Sequence, residues 1–135
     1  MIRVLNSESM EIRTSEDVAA VRQAVRRKAV SLGFGLVDQT KVVTASSELA
    51  RNALDHGGGG FAHLEILENE RRSGLRLIFE DQGPGIADIA QALTDGYSSG
   101  AGMGLGLGGS KRLSHEFEIN SQLGAGTKVS IVRWK

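Results

Sequence analysis

The placement of its glycines is the feature that most restricts how this chain folds. The sequence has 18 glycines in 135 residues, and seven of them fall in the fourteen positions 96–109. Ordering glycine costs more backbone entropy than ordering any other residue, so this stretch is not expected to form regular structure. We predict a loop, either a floppy connection or one whose free backbone amides, at the start of a following helix, bind an anion such as phosphate.

A second glycine-containing stretch, EDQGPGIADI at 80–89, follows an alternating apolar segment. Asp81 is expected to end a strand, so that its carboxylate projects from the sheet edge and can accept a hydrogen bond from an amine. Gly83 and Gly85 flank the only proline and would let the backbone approach a flat ring closely. The alternative is an ordinary tight turn in which the aspartate side chain caps the backbone.

Two amphipathic helices are predicted before these turns. Ser15 is typical of an N-cap, and apolar residues then recur at helical spacing: Val18, Val21, Val25, Ala29 and Leu32. Asp38 is expected to cap a second helix that runs to about His56. Its apolar face consists of Val42, Ala45, Leu49 and Ala53. The GGGG at 57–60 is expected to end this helix and to act as a flexible joint.

The remaining segments are predicted to be strands and short helices. Strands are expected at 2–5, 10–13, 61–68, 75–80, 117–122 and 127–133, and short helices at 86–94 and 107–115. NERRSG is expected to form a polar turn and LGAG a hairpin. This order predicts an α+β fold, a two-layer sandwich, as a single domain over residues 1–135.

Composition excludes several functional classes. Lys plus Arg and Asp plus Glu number 16 each, so net charge gives no reason to expect nucleic acid or an anionic membrane as partner. The absence of cysteine excludes disulfides and thiolate chemistry. No apolar run approaches the roughly 20 residues that span a bilayer, and the N-terminus lacks a signal-peptide core. We therefore expect a soluble, cytoplasmic protein.

The second helix carries a stripe of polar side chains whose types are suited to metal binding and proton transfer. Glu48, Asn52 and His56 are four residues apart and therefore share a helix face. They can form a solvated stripe, or they can point at a ligand. An asparagine carbonyl suits Mg²⁺, and a carboxylate can accept a proton from a hydroxyl.

Two glycine patterns are weaker signals. Gly104, Gly106 and Gly109 spell GxGxxG, but no parallel βαβ context surrounds them, so a dinucleotide fold is not predicted. The chain also lacks the P-loop pattern. GAGT at 124–127, taken alone, reads as a glycine-containing hairpin turn.

Taken in order, these motifs resemble the GHKL ATPase superfamily. Its N box would be ELARN at 48–52, its G1 box DQGPG at 81–85, its G2 box GMGLG at 102–106, and its last box GAGT at 124–127. The resemblance implies the Bergerat fold, with a mixed, mostly antiparallel sheet and helices on one face. The chain looks most similar to the small stand-alone serine kinases of bacterial partner-switching systems, namely stressosome switch kinases and, as near relatives, anti-sigma-factor kinases.

That resemblance implies roles for individual residues in binding ATP and Mg²⁺. Asn52 would coordinate the metal, Asp81 would bind the adenine amino group, and Thr127 would support the adenine side. Gly83 and Gly85 would shape the floor under the ring. The phosphates would meet the backbone of Gly102, Gly104 and Gly106. Glu48 would be the general base.

The resemblance also implies protein partners. The serine substrate would be a STAS-domain antagonist, and the output would be activation of a PP2C-type phosphatase or, alternatively, sequestration of a sigma factor. Tyr97, Ser98 and Ser99 are expected to be lid residues rather than phosphorylation sites. Arg51 could hold a phosphate, or it could face solvent or a partner. The role of His56 and the oligomeric state stay open.

Overall fold

The computed structural model describes residues 1–86, 89–93 and 107–135. Its strands are β1 (Ile2–Ile12), β2 (Gly60–Asn69), β3 (Arg72–Asp81), β4 (Glu116–Ser121) and β5 (Thr127–Trp134). They form one open sheet in the order β1-β2-β3-β5-β4, and all four strand pairings in the described ranges are antiparallel. The predicted α+β class is confirmed, although the sheet is antiparallel here rather than mixed.

Four helices accompany the sheet in these ranges: α1 (Ser15–Ser31), α2 (Leu36–Asp55), α3 (Ile89–Ala92) and α4 (Leu107–Arg112). The apolar stripes of α1 and α2 pack on one face of the sheet, against the alternating side chains Leu75, Leu77 and Phe79 of β3. All four apolar residues predicted for the second helix are buried. No helix within the described ranges is long and apolar enough to cross a membrane.

The two long helices begin differently from the prediction. Thr14, not Ser15, caps α1, because its hydroxyl accepts the Asp17 amide at 3.1 Å while the Asp17 carboxylate accepts the Thr14 amide at 3.1 Å. Gly35 caps α2 without a side-chain hydrogen bond. Asp38 lies in the first turn of α2, and its carboxylate instead accepts a hydrogen bond from Arg133 at 2.7 Å.

Arg133 joins three elements on the helix-covered face of the sheet. Its side chain extends from β5, donates to Asp38 of α2 and also donates to the Leu113 carbonyl, just beyond α4, at 2.8 Å. The hydrogen bond and charge of Arg133 lower the pKa of Asp38. This buried guanidinium therefore fixes where α2 and α4 meet the sheet.

Several boundaries differ from the sequence prediction. One strand covers residues 2–12, with a register shift between Val4 and Asn6, where two short strands were expected. The turn between β2 and β3 is only Glu70 and Arg71, because Arg72 already belongs to β3 and stacks 5.2 Å over the Trp134 ring. Helices α3 and α4 are shorter than predicted.

Candidate functional site

Asp81, the last residue of β3, lies between Gly60 of β2 and Thr127 of β5 in the sheet register. Its Oδ1 accepts a hydrogen bond from the Gly83 amide at 2.9 Å, and the amide of Thr127, its partner in the sheet register, also favours the charged carboxylate. Burial raises the pKa of Asp81, while these two amides and the charge of His56 act in the opposite direction. The sequence prediction of a carboxyl at a strand end is thus matched by its position.

Gly57 and Gly83 pack directly against this carboxyl. A Cβ on Gly57 would overlap the Asp81 side chain, and a Cβ on Gly83 would lie 2.6 Å from the Gly57 Cα. Both contacts require glycine, because real Cβ atoms do not approach other atoms so closely. The GGGG segment therefore forms one wall of the Asp81 site, a role that its interpretation as a flexible joint missed.

The G1 turn also packs against the turn between β4 and β5. Gly85 has φ +78°, and a Cβ there would overlap the Gln122 carbonyl. Gly126 has φ +83°, and a Cβ there would overlap the Asp81 carbonyl. The Gly124 amide donates to the Pro84 carbonyl at 2.8 Å. Two segments about forty residues apart in sequence therefore form one compact unit at the end of the sheet where β3 and β4 end and β5 begins.

Open space borders this unit on two sides. A cleft of about 480 Å³ lies between the Gly57–Gly60 segment, Arg13, Phe61 and Asp81. Another of about 320 Å³ reaches Asp81, Ser121 and Thr127. The end of β3 is thus accessible from outside although the Asp81 carboxyl is half-buried.

The polar stripe of α2 leads to the same sheet edge. Glu48 is exposed, whereas Asn52 and His56 are half-buried. His56 is the C-cap, and the amides of His56 and Gly57 both donate to the Asn52 carbonyl, at 3.0 and 3.1 Å. Since His56 acts electrostatically on Asp81, the C-terminal end of α2 lies beside the carboxyl.

Arg51 lies on the outer surface of the same helix. Its Nη1 is 3.9 Å from the Asp55 carboxylate one turn on, and both side chains are more than one third exposed. Of the interpretations left open by the sequence, this arrangement favours a residue that faces solvent or a partner over one that holds a phosphate. Exposed pairs of this kind contribute little to stability.

The glycines predicted to contact phosphate, Gly102, Gly104 and Gly106, lie outside the described residues, as do Tyr97, Ser98 and Ser99. Helix α4 begins at Leu107, directly after this segment, and packs against α2. Leu107 is buried in the main core. The end of the glycine-rich segment is therefore tethered on the α2 side of the sheet.

The donor chemistry of the described residues fits Mg²⁺ held chiefly by other ligands. No cluster of three His, Cys, Asp or Glu side chains in these ranges could hold a metal ion alone. Asn52 offers one amide oxygen, half-buried on α2. Mg²⁺ usually keeps several waters and takes one or two protein ligands together with substrate phosphates, so a single asparagine suffices on the protein side.

The family model described as "Histidine kinase-, DNA gyrase B-, and HSP90-like ATPase" matches residues 37–135. The chain belongs to this family. The matched range contains every candidate site residue from Glu48 to Thr127, and the resemblance to GHKL ATPases is confirmed. The matched range begins near the start of α2, so β1 and α1 precede it.

Curated relatives narrow the comparison within the GHKL family. The chain is 45% identical over 131 residues to the serine/threonine-protein kinase RsbT of Bacillus subtilis, which covers 96% of this chain and 98% of the relative. It is 31% identical to an anti-sigma F factor of Clostridium beijerinckii, over 93% of this chain and 92% of that protein. The predicted enzyme class, a serine/threonine-protein kinase, is confirmed.

Solved structures share the GHKL fold at low identity. The RsbU and RsbW domains of a Mycobacterium tuberculosis protein match with TM-score 0.65 and 19% identity, over 96% of this chain and 33% of that one. This chain therefore spans about one third of that solved chain. The catalytic domain of the histidine kinase ThkA matches with TM-score 0.54 and 14% identity, over 93% of this chain and 95% of that chain. These likenesses show the shared fold alone.

Proposed function

We propose that this chain is an ATP- and Mg²⁺-dependent kinase that phosphorylates a serine of a STAS-domain antagonist in a bacterial partner-switching pathway. It then binds and activates a PP2C-type phosphatase. The 45% identity to a serine/threonine-protein kinase supports the reaction class. The observation that carries nucleotide binding is the half-buried Asp81 carboxyl, which accepts a hydrogen bond from the Gly83 amide and lies against Gly57 and Gly83.

The adenine end of ATP would lie at the Asp81 edge of the sheet. The Asp81 carboxylate accepts a hydrogen bond from the adenine amino group, and the Thr127 hydroxyl supports the same side. Gly83 and Gly85 provide a floor without side chains under the ring. The phosphates extend toward α2 and the backbone of Gly102, Gly104 and Gly106.

The reacting end would lie along the polar stripe of α2. Asn52 would hold Mg²⁺, which neutralises charge on the phosphates when bound. The serine oxygen of the partner attacks the γ-phosphorus, the bond to the bridging oxygen breaks and ADP leaves. Glu48, one turn from Asn52, accepts the serine proton. Its exposure agrees with a group that must meet a substrate on another protein.

A phosphotransfer assay tests this proposal. The chain is incubated with ATP, Mg²⁺ and a purified STAS-domain protein, and phosphoserine is measured by mass spectrometry. Glu48→Gln should lower the rate at least about a hundredfold, since a general base typically contributes that much, and leave ATP affinity unchanged. Asp55→Asn, an exposed acid on the same helix, is the control and should react like the wild type. A Glu48→Gln variant with full activity would contradict the proposed base.

An anti-sigma factor is the second candidate function. It is favoured by the 31% and 30% identities to two clostridial anti-sigma F factors, each over more than nine tenths of this chain. Mixing the chain with a sigma factor and with a PP2C-type phosphatase separates the two outputs. Co-elution with the phosphatase supports the first proposal, and co-elution with the sigma factor supports the second.

The proposal extends to the organisation of the chain. The proposed place of action is the cytoplasm. Residues 1–135 would act as one ATPase domain, because β1 pairs along β2 and α1 packs into the same core as α2. Removing residues 1–34 should therefore abolish folding, which circular dichroism would report. A folded remainder that still bound ATP would show that the first two elements are separable.

A further inference from the structure

Ser121, a residue outside the four predicted boxes, joins the two turns around Asp81. It is the last residue of β4 and pairs with Thr127 at the start of β5. Its Oγ accepts a hydrogen bond from the Ile86 amide at 2.8 Å. The same oxygen lies 2.9 Å from the Thr127 hydroxyl and donates to the Gly126 carbonyl at 3.1 Å. A hydroxyl has one hydrogen, so donation to Gly126 makes Thr127 the donor to Ser121.

These bonds lead directly to the Asp81 carboxyl. Thr127 pairs with Asp81 in the sheet register and its amide favours the charged carboxylate, and Gly126 packs against the Asp81 carbonyl. Ile86 directly follows the G1 box, 81–85. The bond from Gly124 to Pro84 is a further link between this turn and the turn between β4 and β5. Ser121 therefore fixes the far side of the G1 turn and the Thr127 hydroxyl at the same time.

We infer that Ser121 is a positioning residue for nucleotide recognition, acting through Thr127 and the G1 turn rather than by touching the nucleotide. The inference deepens the proposed function and rests on it. Without this hydroxyl, the Ile86 amide and the Thr127 hydroxyl lose their common partner. The two turns keep the bond from Gly124 to Pro84 but lose the link beside Thr127. The consequence belongs to the adenine end of the site, because the reacting end lies on α2.

Three variants test the inference. Ser121→Ala removes the hydroxyl, Ser121→Thr keeps it, and Ser114→Ala is the control, because Ser114 is also a half-buried serine that donates to a backbone carbonyl, that of Ser110, at 2.7 Å. ATP·Mg²⁺ and GTP·Mg²⁺ binding are measured by calorimetry, and KM for ATP and kcat by the phosphotransfer assay. Circular dichroism checks that each variant folds.

Ser121→Ala should weaken ATP binding about tenfold, the usual effect of a lost hydrogen bond, and should reduce the preference for ATP over GTP. KM for ATP should rise while kcat stays within about twofold, because the reacting end is untouched. Ser121→Thr should restore both affinity and preference, and Ser114→Ala should match the wild type. Wild-type affinity in Ser121→Ala, or no recovery in Ser121→Thr, would overturn the inference.

Thr127→Val removes the same bond from its other end. Its effect should not add to that of Ser121→Ala in a double-mutant cycle, and strict additivity would contradict the link. If Ser121→Ala does not fold, Thr127→Val decides: normal ATP affinity in that variant overturns the inference. Absent ATP binding by the wild type would instead defeat the proposed function. Binding that Asp81→Asn abolishes and Ser121→Ala retains would defeat this inference alone.

Discussion

At Asp81, burial and hydrogen bonding act on one carboxyl in opposite directions. Burial raises its pKa, and the amides of Gly83 and Thr127 stabilise its charged form without fully offsetting burial. The folded protein therefore binds a proton at Asp81 more tightly than the unfolded chain does. An ionised Asp81 lowers the free energy of unfolding at neutral pH, as is common for groups placed for function rather than stability.

This linkage has a definite sign. As the pH falls from neutral through the raised pKa of Asp81, protonation removes the unfavourable charge, so this group's contribution to stability increases. The free energy of unfolding of the wild type relative to Asp81→Asn should therefore rise between pH 7 and pH 4. Urea unfolding of both proteins across this range measures the difference, in which the other carboxylates cancel. A difference that becomes smaller as the pH is lowered from 7 to 4 would contradict the raised pKa.

Gly57 is the residue whose substitution should damage the Asp81 site most directly. In Gly57→Ala the new Cβ overlaps the Asp81 side chain, so the carboxyl must move or the α2 end must shift. We expect a loss of about 1–3 kcal/mol in the free energy of unfolding, typical of overpacking, and at least a tenfold loss of ATP affinity.

Gly35→Ala is the matched control, because a Cβ there meets nothing within 4 Å. It should leave ATP affinity unchanged. It should lower the free energy of unfolding by less than about 1 kcal/mol, because alanine is a weaker N-cap for α2 than glycine is. Equal ATP affinities in the two variants would show that Gly57 does not shape the site.

At the scale of elements, the start of α1 depends on a capping box formed by Thr14 and Asp17. Thr14→Ala should lower the free energy of unfolding by about 1 kcal/mol, whereas Ser15→Ala, one residue later, should change it by less than about 0.5 kcal/mol. Urea unfolding of the two variants measures both values. The opposite order of effects would restore Ser15 as the cap.

Helix faces were predictable from the sequence, while caps and contacts between distant residues were not. The spacing of Val42, Ala45, Leu49 and Ala53 marks the buried stripe of α2, because burial follows the helical period. The choice between Thr14 and Ser15 depends on which hydroxyl reaches the Asp17 amide, and both residue types are good caps. Asp38 likewise has the residue type of a cap. Its actual partner, Arg133, is 95 residues away and could not be found from the local sequence.

In the Asp81 site, too, local features were predictable from the sequence and contacts between distant residues were not. Asp81 and the glycines of its turn stood out because they follow a strand, but nothing local in GGGG shows that Gly57 packs against a carboxyl 24 residues later. Ser121 was missed for the same reason, since its bonds to Ile86 and Gly126 exist only after β4 and β5 pair. One retrospective signal is its place as the last residue of β4, three positions before the GAGT turn.

Across the whole molecule, the turns of the candidate site lie together at one end of the antiparallel sheet. The ends of β3 and β4 and the start of β5 meet there, and the C-terminal end of α2 lies beside them. The opposite end of the same sheet is fixed by the Trp134 ring, against which Gly74 and Arg72 pack. Ligand binding is thus expected at the end of the sheet that has few bulky side chains, where a nucleotide can approach the backbone.

The most direct measurement is calorimetric titration of the wild type, Asp81→Asn and Asn52→Ala with ATP, with and without Mg²⁺. We expect binding in the micromolar range by the wild type, its loss in Asp81→Asn, and binding that no longer depends on Mg²⁺ in Asn52→Ala. Asp55→Asn, on the outer surface of α2, should bind like the wild type. Absence of ATP binding by the folded wild type, or unchanged binding by Asp81→Asn, would contradict a nucleotide site at the end of β3.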